Sequence, residues 1–97
     1  METRVMLPEG EPPATIKEVV FALKEQKLSV RHDKQDWGDW IVFEGRETVI
    51  SIESNRGLAS SATIEEAEVE DELTGKIIQA FRKLKWEGED EDGRYPL

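Results

Sequence analysis

His32 is the single histidine of the chain, and Asp33, Asp36 and Asp39 follow it at intervals of three around Trp37-Gly38. An imidazole that titrates near pH 7 is suited to general-base chemistry. Such a base needs an orienting acid and a nucleophile, and no serine or acid stands at a spacing that implies a triad or dyad. The three aspartates offer oxygen ligands of the kind that hold Ca²⁺ or Mg²⁺. Their spacing departs from Asp-x-Asp-x-Asp-Gly with a distal Glu, so the segment reads as a solvated turn without a metal. Ser54-Asn55-Arg56-Gly57 and the residues after it form a polar, glycine-bearing stretch of the kind that can cradle phosphate at a helix start. The acids that follow at 65–72 would repel phosphate, and there is no Gly-x-x-x-x-Gly-Lys pattern. No cofactor is expected.

Three tryptophans remain: Trp37, Trp40 and Trp86. Trp37 is expected to cap the core and Trp86 to pack the end of the second helix. Trp40 is expected at the surface, where tryptophan is a frequent interface anchor.

Charge narrows the partners. The 97 residues carry 22 acids against 13 Lys and Arg, a net of −9. Residues 1–57 hold eleven acids and eight bases, and residues 58–97 hold eleven acids and five bases. A field of that sign repels nucleic acid and anionic membranes alike. The dense runs at 65–72 and 87–92 suit a basic partner or simply keep the chain in solution. There is no cysteine, hence no disulfide and no thiolate chemistry. The first residues lack an apolar core of the secretory type, and no apolar run approaches the roughly 20 residues that span a bilayer. A cytoplasmic setting is the default expectation.

These residues must be positioned by a small set of elements. Thr3 to Leu7 is a short extended candidate. Thr15 and Glu18 form a capping box, and Ile16, Val19, Val20 and Leu23 make one helical face, which predicts a helix over about 14–26. Strands are expected around Leu28–His32, Trp40–Phe43 and Thr48–Glu53. Residues 58–62 read as a loop. A second helix begins near Thr63, with Glu66 completing a capping box, or near Glu70, since Gly75 weakens the earlier part. The acidic run from Glu87 to Leu97 reads as a disordered tail after a domain of residues 1–86. The fold class is therefore α+β, with two layers. An antiparallel three-stranded meander, with a possible fourth N-terminal strand, packs against two helices in the order (β)-α-β-β-β-α. Double-stranded-RNA-binding domains share the order α-β-β-β-α, but their second helix opens on bases where this chain has Glu65 to Glu72, so the likeness stops at order.

The register of one hairpin carries the functional expectation. A two-residue turn at Gly45-Arg46 pairs Val42 with Val49, Ile41 with Ile50 and Trp40 with Ser51. Ile41, Phe43, Thr48, Ile50 and Ile52 then share the core face. Trp40, Val42, Val49 and Ser51 share the other, with Arg31 diagonal to Trp40 at cation–π distance. A strand apolar on both sides needs cover on both, or marks an interface. The expected function is a non-enzymatic protein-interaction module that meets a protein partner or a second copy through Arg31, Trp40, Val42, Val49 and Ser51. The alternative is a small enzyme or ligand-binding domain built on His32 and the Asp33–Asp39 loop.

Overall fold

The computed structural model describes residues 1–67 and 71–97, and it is an α+β fold in two layers. The elements run β1 (Glu2–Met6), β2 (Ala14–Thr15), α1 (Ile16–Glu25), β3 (Val30–Gln35), β4 (Gly38–Phe43) and β5 (Val49–Ile52). They continue with β6 (Leu58–Ala59), β7 (Ser61–Glu65), α2 (Asp71–Lys83), β8 (Glu87–Asp90) and β9 (Gly93–Pro96). Seven strands form one sheet in the order β3-β4-β5-β7-β1-β8-β9, with every described pairing antiparallel, while β2 and β6 make a separate two-stranded piece. No described helix is long and apolar enough to cross a membrane.

Period-two alternation sorts the sheet into two faces. Val5, Ile41, Phe43, Ile50, Ile52 and Ile64 point inward and are buried, and both helices lie over them. Helix α1 buries Ile16, Val19, Ala22 and Leu23; of the expected face Val20 is only half-buried, and Ala22 takes its place. Its Thr15–Glu18 capping box is formed in both directions, at 3.1 Å each way. Helix α2 contributes Leu73, Ile77, Ala80 and Phe81. It ends with Lys85 in the left-handed region at φ 68 and with the Trp86 amide donating to the Phe81 carbonyl at 3.1 Å. That closure folds the Trp86 ring back onto Phe81, with centroids 5.0 Å apart, and buries it as expected.

The hairpin between β4 and β5 takes the expected register: Trp40 opposite Ser51, Ile41 opposite Ile50, Val42 opposite Val49. The turn itself sits one residue earlier. The Arg46 amide donates to the Phe43 carbonyl at 3.0 Å and Gly45 takes φ 72, so Glu44 and Gly45 are its central residues. The ladder ends at Val42–Val49, which spares Glu44 and Glu47 the face-to-face repulsion that a full pairing would impose.

Three expectations are corrected. The sheet has seven strands rather than three or four, because β1 pairs on both sides, with β7 and with the β8–β9 hairpin. Thr63 lies inside β7 and caps no helix; α2 begins at Asp71, and the alternative start near Glu70 falls at the edge of residues 68–70, outside the description. Residues 87–97 are not a free tail but the hairpin β8–β9, paired to β1 through Arg4–Glu89, Val5–Gly88 and Met6–Glu87. Its acids alternate outward, where Arg4 meets Glu89 at 3.3 Å and Arg94 meets Glu87 at 3.5 Å. Inward stands Gly88, and the Tyr95 ring lies so close that any Cβ there would strike it. Asp90 accepts from the Asp92 amide at 2.8 Å and Gly93 takes φ 116, which closes the turn. Exposed ion pairs of this kind add well under about 1 kcal/mol each. The ladder to β1 and the cover over Val5 carry the hairpin.

Truncation after Trp86 should therefore lower the thermal midpoint, by an equivalent of about 2 kcal/mol or more, because it strips one whole edge from β1 and uncovers Val5. A circular-dichroism melt of the shortened chain checks this; an unchanged midpoint would mean that β8 and β9 add no stability.

Candidate functional site

The structure brings Arg31, Trp40, Val42, Val49 and Ser51 together on the face of the sheet opposite the helices. Trp40 is 40% exposed there, and its ring meets the edge of Trp37 with centroids 6.0 Å apart. Trp37 thus caps no core; it stands in the turn between β3 and β4, about half exposed. The expected cation–π contact is replaced by a two-pronged pair, since the Arg31 guanidinium donates to both carboxylate oxygens of Asp33 at 3.1 and 3.0 Å. Ser51 donates to Glu65 at 2.6 Å. Beyond these residues the face is crossed by the Arg4–Glu89 and Arg94–Glu87 pairs and reads as a solvated surface.

A different constellation forms at one end of the inner face. The segment expected as a loop over Asp33–Asp39 is instead a two-residue hairpin, with Gln35 opposite Gly38. Asp33 and Asp39 are strand residues on opposite faces. Inward alternation puts His32 and Lys34 on β3, Asp39 on β4 and Ser54 just past β5 on one surface, continuing the rows Val30, Ile41 and Ile52. These are the polar ends of apolar rows, and they lie beyond the reach of the helices.

Asp39 is the hub. It is 4% exposed, and its two oxygens accept from different elements, Oδ1 from His32 Nε2 and Oδ2 from Ser54 Oγ. Burial by itself raises the Asp39 carboxyl. The hydrogen bonds from Ser54 and His32, with the charges of His32 and Lys34, outweigh it and hold the group below the ordinary carboxylate range. An ionised carboxylate only accepts, so Nε2 of His32 carries the proton and donates to it. Gly38 makes the approach possible. A Cβ at Gly38 would stand 2.2 Å from the Ile52 carbonyl oxygen and 3.1 Å from the Ser54 nitrogen, so only glycine lets β4 pass so close to the end of β5.

Above this floor lies a cleft of about 840 Å³. Helix α1 supplies one wall through Lys17, Val20, Phe21 and Lys24, a second stripe at i, i+3, i+4, i+7 beside its buried one. The opposite rim is the turn Asn55–Leu58, in which the two end residues exchange backbone hydrogen bonds of 2.8 and 3.1 Å. Arg56 and Gly57 both take positive φ there, at 56 and 77. The Gly57 carbonyl accepts from the Ile16 amide at 3.0 Å, which ties this rim to the start of α1. Phe21 and Leu58 face the space at 66% and 43% exposure. The polar, glycine-bearing stretch that follows Ser54 is thus one lip of the cleft.

The chemistry of the trio is set by its order. In acyl transfer a histidine stands between serine and acid and takes the serine proton. Here the carboxylate stands in the middle, and both Ser54 and His32 donate to it. A carboxylate with a lowered pKa is a poor base for a hydroxyl, so the arrangement fastens three strands and aims two polar groups rather than arming a nucleophile. Among the described residues no group of three His, Cys, Asp or Glu side chains is placed to hold a metal ion. Sequence reasoning singled out His32, Asp39 and the stretch from Ser54 onward, but did not bring that stretch beside Asp39 and missed Phe21. The signal for Ser54 was available, since carrying the register of β4 and β5 two residues past Ile52 puts it on the same face as Asp39, one diagonal step away.

Asp39→Asn keeps the shape and loses the charge. It should cost about 1–3 kcal/mol at pH 7, because one buried donor then faces an amide. The folded pKa of Asp39 lies below its unfolded value, so its contribution is complete above the ordinary carboxylate range and is lost as pH falls through the folded value. Chemical denaturation from pH 7 down to pH 3 should show the wild-type advantage over the variant shrinking below about pH 4; a gap independent of pH would show that the charge contributes nothing.

No family model, curated protein or solved structure matches this chain, so what the cleft takes must be read from its own chemistry.

Proposed function

We propose that the protein is a small, non-enzymatic binding domain whose ligand occupies the cleft between α1, the β3–β4 end of the sheet and the Asn55–Leu58 turn. The observation that carries this reading is the pairing of a rigid polar floor with two large apolar side chains facing open space across it. Ligand sites are concave, partly apolar and furnished with a few fixed polar groups, one of them with a displaced pKa. The cleft has each of these: Phe21 and Leu58 on its walls, and the Asp39 hub with His32 and Ser54 beneath. Its volume of about 840 Å³ suits a ligand of cofactor or drug size. The setting proposed is cytoplasmic, in keeping with a chain free of cysteine, and the overall charge of −9 disfavours nucleic acid as the partner.

The test is a fragment screen read on the amide spectrum of the full chain. Fragments that bind should shift resonances in 15–24, 32–39 and 54–58 together, and Phe21→Ala with Leu58→Ser should remove those shifts. Both side chains are largely exposed, so the paired variant should melt within about 1 kcal/mol of the wild type. Fragments that gather elsewhere, or none that bind, would overturn the reading.

One observation supports a second reading, in which a protein partner or another copy docks on the opposite face. Trp37 and Trp40 stand exposed beside half-buried Val42 and Val49, an apolar patch rimmed by Arg31, Asp33, Ser51 and Glu65. Trp40→Ser should leave the fold intact, because neither helix reaches that face, and should reduce any self-association seen by sedimentation velocity. A wild-type chain that sediments as a monomer up to millimolar concentration would remove self-association from this reading.

A further inference from the structure

The cleft is an island of positive charge on an acidic protein. Lys17 and Lys24 stand at the two ends of the α1 stripe, Lys34 on the floor and Arg56 on the rim. None of the four forms a salt bridge among the described residues. The lining carries two carboxylates against these four cations. One of them, Asp39, is buried and spends both oxygens on His32 and Ser54. Its charge already faces His32 and Lys34, which leaves Asp36 to answer the other three cations, in a chain where acids outnumber bases 22 to 13. Elsewhere Arg4, Arg31, Lys76 and Arg94 meet acids, while Lys27, Arg46, Lys83 and Lys85 form no salt bridge among the described residues. Four cations against two carboxylates in the cleft lining invert the balance of the whole chain.

The apolar groups lie between the cations. Along α1 the order is Lys17, then Val20 and Phe21, then Lys24, spanning about 10 Å of helix at 1.5 Å per residue. Leu58 faces them from the turn that also carries Arg56. Arg56 holds a left-handed conformation that favours glycine or asparagine, a strain of about 1 kcal/mol or more. That backbone is fixed by the turn and by the Ile16–Gly57 hydrogen bond.

Resting on the proposal that the cleft is the binding site, we infer that its ligand is a small organic anion, a phosphate or carboxylate joined to an apolar ring. The ring lies against Phe21 and Leu58, and the anionic group is held by Lys34 and Arg56, with Lys17 and Lys24 setting the field at either end. A flat ring offers Phe21 a stacking partner, and removing both from water strengthens the charge contacts beside them. The negative remainder of the protein works against an anion at long range, so binding depends on close contact and falls as salt screens the four cations.

Titration of the full chain with phenyl phosphate, benzoate, inorganic phosphate and benzyl alcohol, followed by amide shifts, tests this. Phenyl phosphate or benzoate should shift the cleft resonances of 15–24, 32–39 and 54–58 and bind at least tenfold more tightly than inorganic phosphate or benzyl alcohol. Affinity should fall severalfold between 50 and 300 mM salt. Lys34→Glu with Arg56→Glu should abolish the preference for the anions while leaving benzyl alcohol unaffected. Equal binding of benzyl alcohol in the cleft would overturn the anion and leave the cleft as the site. Equal binding of inorganic phosphate would overturn the apolar ring. Cleft resonances that stay still with all four, while other fragments also bind elsewhere, would overturn the site itself.

Discussion

A sheet of seven strands at about 4.8 Å spacing is roughly 29 Å wide, and two helices of about 10 Å diameter roof only some 20 Å of it. The inner face is thus larger than its cover, and much of the structure answers that mismatch. At the β8–β9 side the surplus is closed from within the sheet: Gly88 leaves room, the Tyr95 ring fills it, and Trp86 packs against Phe81. At the β3–β4 side nothing closes it. The inward rows change from Val30, Ile41 and Ile52 to His32, Asp39 and Ser54 where the helical cover ends. A buried carboxylate is costly without partners, and each of its oxygens has one. The cleft follows from geometry first and from residue choice second.

How much of this was legible depends on whether the signal was local. Helix α1 was, because its capping box lies within four residues and its stripe within eight. The β4–β5 register was, because a short turn leaves few pairings that keep Ile41, Ile50 and Ile52 on one side. The strands β6 to β9 were not. Ser61–Glu65 is too polar to stand out, and its inward residues Ala62 and Ile64 gain their burial from β1, some sixty positions earlier. The acids of β8 were read by composition, although Glu87 and Glu89 alternate to the outer face and Asp90 stands exposed at the turn, where charge is harmless. Disorder inferred from charge fails when alternation sends the charge to one side and the inward positions are small.

The candidate site was half legible for the same reason. His32 and Asp39 are seven residues apart and were both noticed, but a hairpin between them was read as an irregular loop, so their contact was lost. Ser54 and the Arg56–Leu58 rim reach the site only through the pairing of β5 with β4 and of β6 with β2. Phe21 was overlooked because the buried stripe of α1 is complete without it, and its ring is 66% exposed.

The place of β1 in the middle of the sheet has a consequence for how the molecule comes into being. It pairs on one side with residues 61–65 and on the other with residues 87–90, so both of its neighbours are synthesised long after it. Until they emerge, the Thr-Arg-Val-Met stretch has unpaired backbone on both edges, and Val5 has no interior to enter. Closure over such sequence distances is slow compared with helix formation, and it makes the final assembly one cooperative event rather than a series of stable halves. Strand β1 waits for β8, and a nascent chain interrupted before that strand leaves one edge of β1 unpaired inside its own sheet.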